Sequence, residues 1–124
     1  MSEAILIVDD DAEVAETCAR VLKASGFRCA VVYDLPSALS LFDMLRPGLV
    51  LSDINLPMGD GFEIVRHVKR QLPATPVILM TGLDGAQTRD RAIDAGAAAY
   101  LRKPFSNAEL VAKVKALLPR DGDS

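Results

Sequence analysis

Five residues spread along the chain have side chains that could act together chemically: Asp9, Asp10, Asp53, Thr81 and Lys103. Each follows a short apolar run. Ile5-Leu6-Ile7-Val8 precedes Asp9 and Asp10, and Leu49-Val50-Leu51-Ser52 precedes Asp53. Val77-Ile78-Leu79-Met80 leads to Thr81, and Ala98-Ala99-Tyr100-Leu101 leads through Arg102 to Lys103. Short apolar runs closed by a turn are the pattern of strands buried in a parallel sheet. In such a sheet every carboxyl end lies on one edge, where open α/β folds place their ligands. Three carboxylates gathered there would repel one another by about 1 to 4 kcal/mol per pair at about 4 Å, depending on how dry the site is. One lysine cannot offset that; a divalent cation can. An all-oxygen donor set suits Mg²⁺ or Mn²⁺ rather than zinc. Mg²⁺ prefers one or two carboxylates, waters and a phosphate, which points to phosphoryl chemistry. Asp53, alone on its strand, is the candidate nucleophile that becomes an acyl phosphate. Asp9 and Asp10 are then the candidate metal site, Lys103 the cationic partner and Thr81 the hydrogen-bond donor. Asp10 also has a plainer reading as a helix cap.

The elements that must position these residues alternate strictly. After the first strand, Val14, Cys18, Val21, Leu22 and Ser25 share a helical face, and Gly26 is a natural stop. Arg28 to Tyr33 reads as the second strand. Pro36 falls in the first turn of a helix carrying Ala38, Leu41, Phe42 and Leu45, which Pro47-Gly48 closes. Beyond Asp53 the chain turns through Pro57, Gly59 and Gly61. A third helix follows from Asp60, with Ile64, Val65, Val68 and Leu72 inward. A fourth helix, from about Ala86 to Ala95, has a thin apolar face of Ala92 and Ile93. The last helix runs from about Asn107 to Leu118. Four helix starts carry a capping-box pattern: Asp10 with Glu13, Asp60 with Glu63, Asp84 with Gln87, and Ser106 with Glu109. Five β-α units in alternation predict an α/β fold, a parallel sheet covered by helices on both faces.

At 124 residues, half of them hydrophobic and a quarter charged, the chain fits one ordinary globular domain. Residues 1–118 make that domain, and 119–124 read as a frayed tail or the start of a linker. The net charge of −3 and dispersed lysines and arginines supply no basic stripe, so direct nucleic-acid binding is not expected. No apolar run nears the roughly 20 residues needed to span a bilayer, and an acidic N-terminus predicts no signal peptide. Cys18 and Cys29 are expected to be reduced core thiols, which implies a cytoplasmic location. His67, the single histidine, is expected to be a solvated surface residue on the third helix.

Four segments together carry a family resemblance: Ile5-Leu6-Ile7-Val8-Asp9-Asp10, Leu51-Ser52-Asp53-Ile54-Asn55-Leu56-Pro57-Met58-Gly59-Asp60-Gly61, Met80-Thr81-Gly82, and Ala99-Tyr100-Leu101-Arg102-Lys103-Pro104-Phe105. In this order and spacing the chain resembles a bacterial two-component response-regulator receiver domain over residues 4 to about 118. The resemblance implies a single-domain, doubly wound, flavodoxin-like (βα)5 three-layer sandwich with strand order 2-1-3-4-5. It implies that Asp53 takes a phosphoryl group from the phosphohistidine of a histidine kinase or histidine phosphotransfer protein. Asp10 would bind Mg²⁺ directly, Asp9 through water, and Asn55 through its backbone carbonyl, with Mn²⁺ able to substitute. Lys103 would pair with the phosphate, Thr81 would move toward it, Tyr100 would be the switch aromatic, and the Lys103-Pro104 bond would be cis. The chain would catalyse only its own phosphorylation and slow autodephosphorylation. The fourth helix, fifth strand and fifth helix would form the output surface toward a downstream domain or protein, and phosphorylation could drive homodimerisation.

Three other classes compete. An aspartyl phosphohydrolase would put its nucleophile on the first strand, where Asp9-x-Asp11 fits superficially; the absent cap domain and the turn after Asp53 oppose it. A nucleotide or flavin binder needs a glycine- or hydroxyl-rich phosphate loop after the first strand, where this chain has three aspartates. An interaction module without phosphorylation would not need the complete acidic, threonine and lysine set.

Overall fold

The computed structural model describes residues 4–82 and 86–118. Its central strands are β1 (Ala4–Val8), β3 (Leu49–Asp53) and β6 (Val77–Thr81). β3 and β6 are buried along their whole length, and β1 from Ile5 onward. Burial on both faces is what their unbroken apolar sequences require. β2 (Arg28–Val32) and β7 (Ala99–Arg102) flank them, giving a parallel sheet of order β2-β1-β3-β6-β7. Two two-residue strands, β4 (Asn55–Leu56) and β5 (Gly59–Asp60), form a small antiparallel hairpin outside that sheet. With the hairpin set aside, the order is the expected 2-1-3-4-5. Sequence periodicity does not reveal the hairpin, because two residues a side are too few to show alternation.

Side chains alternate between two cores, one per sheet face. Leu6, Val8, Val50, Val77 and Leu79 pack toward α2 (Leu35–Leu45), α3 (Gly61–Gln71) and α4 (Ala86–Ala95). Ile5, Ile7, Leu49, Leu51, Ile78 and Met80 pack toward α1 (Ala12–Ala24) and α5 (Asn107–Leu117). The chain order reverses direction between β1 and β3, so the switch point of the sheet lies between the strands that end at Asp9 and Asp53.

The caps correct one sequence expectation. α1 is capped by Asp11, whose carboxylate accepts from the N–H groups of Glu13 and Val14 at 3.1 and 3.3 Å, rather than by Asp10. Any of three consecutive aspartates could cap, and the strand exit decides which one does. Asp10 is thereby released to the solvent edge. Asp60 caps α3 by accepting from the Glu63 N–H, and Ser106 with Glu109 makes the full reciprocal box on α5. The pattern at Asp84 lies outside the described residues.

On α4, Ala92 is fully buried but Ile93 is half-exposed, so the inward face is even thinner than the sequence suggests. Cys18 is buried, but Cys29, on the edge strand β2, is only half-buried. Both are free, and burial pushes each thiol up to about 11. Both stay thiols at neutral pH and make poor nucleophiles. Among the described residues no helix is long and apolar enough to cross a membrane.

Candidate functional site

Each strand end delivers one part of the site. β1 stops at Val8 because three aspartates follow, and Asp9 remains fully buried although charged. β3 ends at Asp53, which is 8% exposed, and β6 ends at the fully buried Thr81. β7 leads through Arg102 to Lys103, whose backbone N–H donates to the Thr81 carbonyl at 2.8 Å. The Lys103-Pro104 peptide bond is cis.

Lys103 closes the cluster. Its Nζ donates to Asp9 Oδ2 at 2.7 Å and to Asp53 Oδ2 at 2.8 Å, bridging two carboxylates from either side of the switch point. The second oxygens are held by backbone. Asp9 Oδ1 accepts from the Asp11 N–H at 2.9 Å, and Asp53 Oδ1 accepts from the Asn55 N–H at 3.1 Å. Both carboxylates therefore have fixed orientations. Buried charge is tolerated only when paired and hydrogen-bonded in this way.

The protonation equilibria reflect this competition. Burial lifts the Asp9 carboxyl above its ordinary range, against the Lys103 and Asp11 hydrogen bonds, which pull it down. Burial would also lower the Lys103 ammonium, but its bonds to Asp53 and Asp9 outweigh that and hold it above the usual lysine value. Asp9 therefore contributes to stability below the ordinary aspartate value of 3.8, and that contribution is lost as pH rises through its higher folded value. Burial opposes ionisation of Asp9, while the Lys103 contact favours it. Asp9→Asn, in chelator at pH 7, is expected to raise Tm, because it removes the buried carboxylate whose ionisation burial opposes. The gain should vanish near pH 3, and thermal unfolding at the two pH values measures both.

Two carboxylates against one lysine leave the buried cluster negative, and Asp10 adds a third, exposed acid. Carboxylate oxygens of Asp9, Asp10 and Asp53 all lie within 4.8 Å of one another. Hard oxygen donors at that spacing with an excess of negative charge fit a divalent cation such as Mg²⁺.

Two supporting features go beyond the sequence reading, which gives Gly61 only a conformational role in the turn after Asp53. The Ser52 hydroxyl, buried beside the acid, donates to the Asp53 carbonyl at 2.9 Å; a serine inside an apolar run was the available signal. Gly61 donates its N–H to the Ile54 carbonyl at 2.7 Å. A Cβ at Gly61 would sit 2.5 Å from the Asp53 carbonyl oxygen, so no side chain fits where α3 meets the end of β3. His67 corrects another expectation. Its side chain is only 13% exposed, its Nε2 lies 2.7 Å from Asp43 Oδ1, and its ring meets Phe42 edge-on at 5.5 Å. It ties α3 to α2 instead of facing solvent. Tyr100 is half-buried against the α2–α3–α4 core.

A doubly wound parallel sheet with a lysine-bridged acid cluster at its switch point is the architecture of the receiver class of two-component signalling. The chain belongs to the response regulator receiver domain family, whose model matches residues 5–115. It is 39% identical over 123 residues to the transcriptional regulatory protein PrrA of Mycobacterium tuberculosis. It is 36% identical over 122 residues to the phosphate regulon transcriptional regulatory protein PhoB of Escherichia coli. These alignments cover 99% and 97% of this chain but only 53% of each relative, so the chain spans about half their length. Among solved structures, the chemotaxis response regulator CheY4 of Vibrio cholerae superimposes with a TM-score of 0.89 at 26% identity, covering 95% of this chain and all of that one. The beryllofluoride-activated NtrC4 receiver domain dimer superimposes with a TM-score of 0.88 at 27% identity, covering 93% of this chain and 95% of that one.

Proposed function

We propose that Asp53 is the phosphoacceptor of this receiver domain. The observation that carries the reading is the Lys103 ammonium held between Asp9 and Asp53 at 2.7 and 2.8 Å. An Asp53 carboxylate oxygen attacks the phosphorus of a phosphohistidine on a histidine kinase or phosphotransfer protein. The new P–O bond forms as the P–N bond breaks, and the imidazole leaves with the electron pair. Hydrolysis later returns the Asp53 carboxylate and inorganic phosphate. Lys103 exchanges its Asp53 contact for a phosphoryl oxygen, Asp9 keeps the ammonium oriented, and Thr81 offers its hydroxyl from the end of β6. Asp9, Asp10 and Asp53 would hold Mg²⁺ together with the Asn55 backbone carbonyl. When bound, the ion neutralises the phosphoryl oxygens. Catalysis is confined to the chain's own aspartate.

Tyr100 on β7 is the proposed switch aromatic, and α4, β7 and α5 the surface that changes for a downstream domain, protein or second copy. Residues 119–124 would lead toward such a domain, and the chain would work in the cytoplasm. The test is metal removal. Incubated with acetyl phosphate and Mg²⁺, the chain should gain one acid-stable, base-labile phosphoryl group by mass. In EDTA the gain should disappear, and Mn²⁺ should restore it. Labelling that persists unchanged in EDTA would overturn the assignment.

A further inference from the structure

We propose that Phe62 and Arg91 form a latch that couples the backbone around Asp53 directly to α4. This inference rests on the phosphoacceptor reading above, and deepens it by naming a second route out of the site. The route starts where α3 begins. Gly61 packs so closely on the Asp53 carbonyl that no Cβ fits, and its N–H is bonded to the Ile54 carbonyl at 2.7 Å. A displacement of the Asp53 main chain therefore cannot be absorbed at Gly61 and passes to the next residue. That residue is Phe62, only 6% exposed and packed in the same core as Leu79 and Val65.

The Arg91 guanidinium carbon lies 4.6 Å from the centroid of the Phe62 ring, within the range of a cation–π contact. Arg91 is on α4, and next to it Ala92 is the one fully buried side chain of that helix among the described residues. With Ile93 turned outward, α4 has little apolar surface holding it down. On so thinly packed an element, one cation–π contact is a substantial part of the attachment. Phe62 and Arg91 are positioning residues here. Neither touches the reacting atoms, and the latch does not pass through Thr81 or Tyr100.

Hydrogen exchange of the full chain, with and without beryllofluoride and Mg²⁺, tests the latch using Arg91→Gln, Phe62→Leu and the double variant. Arg91 is exposed, so Arg91→Gln leaves the core untouched. In the absence of beryllofluoride, amides of α4 should exchange roughly two- to five-fold faster in Arg91→Gln, the loss expected of one exposed cation–π contact. Amides of α3 should not change. The double variant should exceed Phe62→Leu alone by less than Arg91→Gln exceeds wild type. With beryllofluoride, the response at Phe62 should persist in Arg91→Gln while the response in α4 shrinks. Unchanged α4 exchange in Arg91→Gln, additive effects, or a full α4 response would each overturn the latch. If wild type shows no beryllofluoride response anywhere, the phosphoacceptor reading fails instead, and exchange without beryllofluoride still decides whether the contact holds α4.

Discussion

Asp53→Asn should gain no phosphoryl group from acetyl phosphate and Mg²⁺ under conditions that label the wild-type chain to completion. The substitution keeps the shape of the side chain and removes the nucleophilic charge. The Asn55 N–H can still donate to the amide oxygen, as it now does to Asp53 Oδ1 at 3.1 Å, so the fold around the site should survive. What disappears is the carboxylate that ends β3, 8% exposed, with a lysine at 2.8 Å and two other acids within 4.8 Å. Asp9 is not a substitute acceptor, because it is fully buried whereas Asp53 keeps 8% of its surface exposed. The expected loss is complete, and intact-mass measurement reads it directly. Equal labelling of wild type and Asp53→Asn would move the nucleophile elsewhere.

The second large effect concerns the scaffold. Leu79→Ala should lower stability by about 2–5 kcal/mol, the usual cost of emptying a fully enclosed leucine site. Leu79 has no exposed surface, lies mid-strand in β6, and packs in the core with Val50, Val65 and Phe62. It also sits 3.0 Å from where a Cβ on Gly61 would be, so the collapsing cavity borders the backbone that supports Asp53. Set against a total of about 5–15 kcal/mol for a domain, such a loss is severe. Urea unfolding should show a lower midpoint with an unchanged slope. Met44→Ala is the control. At 80% exposed, it should change stability by no more than about 0.5 kcal/mol.

How much of this could be read in the residues depended on how far each feature reached. Asp9, Asp53, Thr81 and Lys103 were readable because strand ends in a parallel sheet share one edge, whatever the packing details. The sheet order followed from the family resemblance, and the structure has it. The capping residue of α1 was misplaced by one position, since the exit angle of β1 decides between Asp10 and Asp11. His67 looked solvated because its partner, Asp43, lies 24 residues away on another helix. Ile93 looked inward because helical periodicity gives a stripe but not its rotation about the axis. The close approach at Gly61 depends on where α3 docks, a distance between elements that no local pattern encodes.

The lysine bridge has a consequence for how the chain becomes competent during synthesis. Its two contacts span 94 and 50 residues, joining the first strand to the end of the last. Closing such loops carries an entropic cost that only a nearly complete sheet can offset. A nascent chain therefore has Asp9 and Asp53 long before it has a site, and the charged pair stays uncompensated until β7 docks. Phosphoryl acceptance would thus report that the chain has emerged and folded at least through β7 and Lys103, and chains that stop short of Lys103 would remain silent.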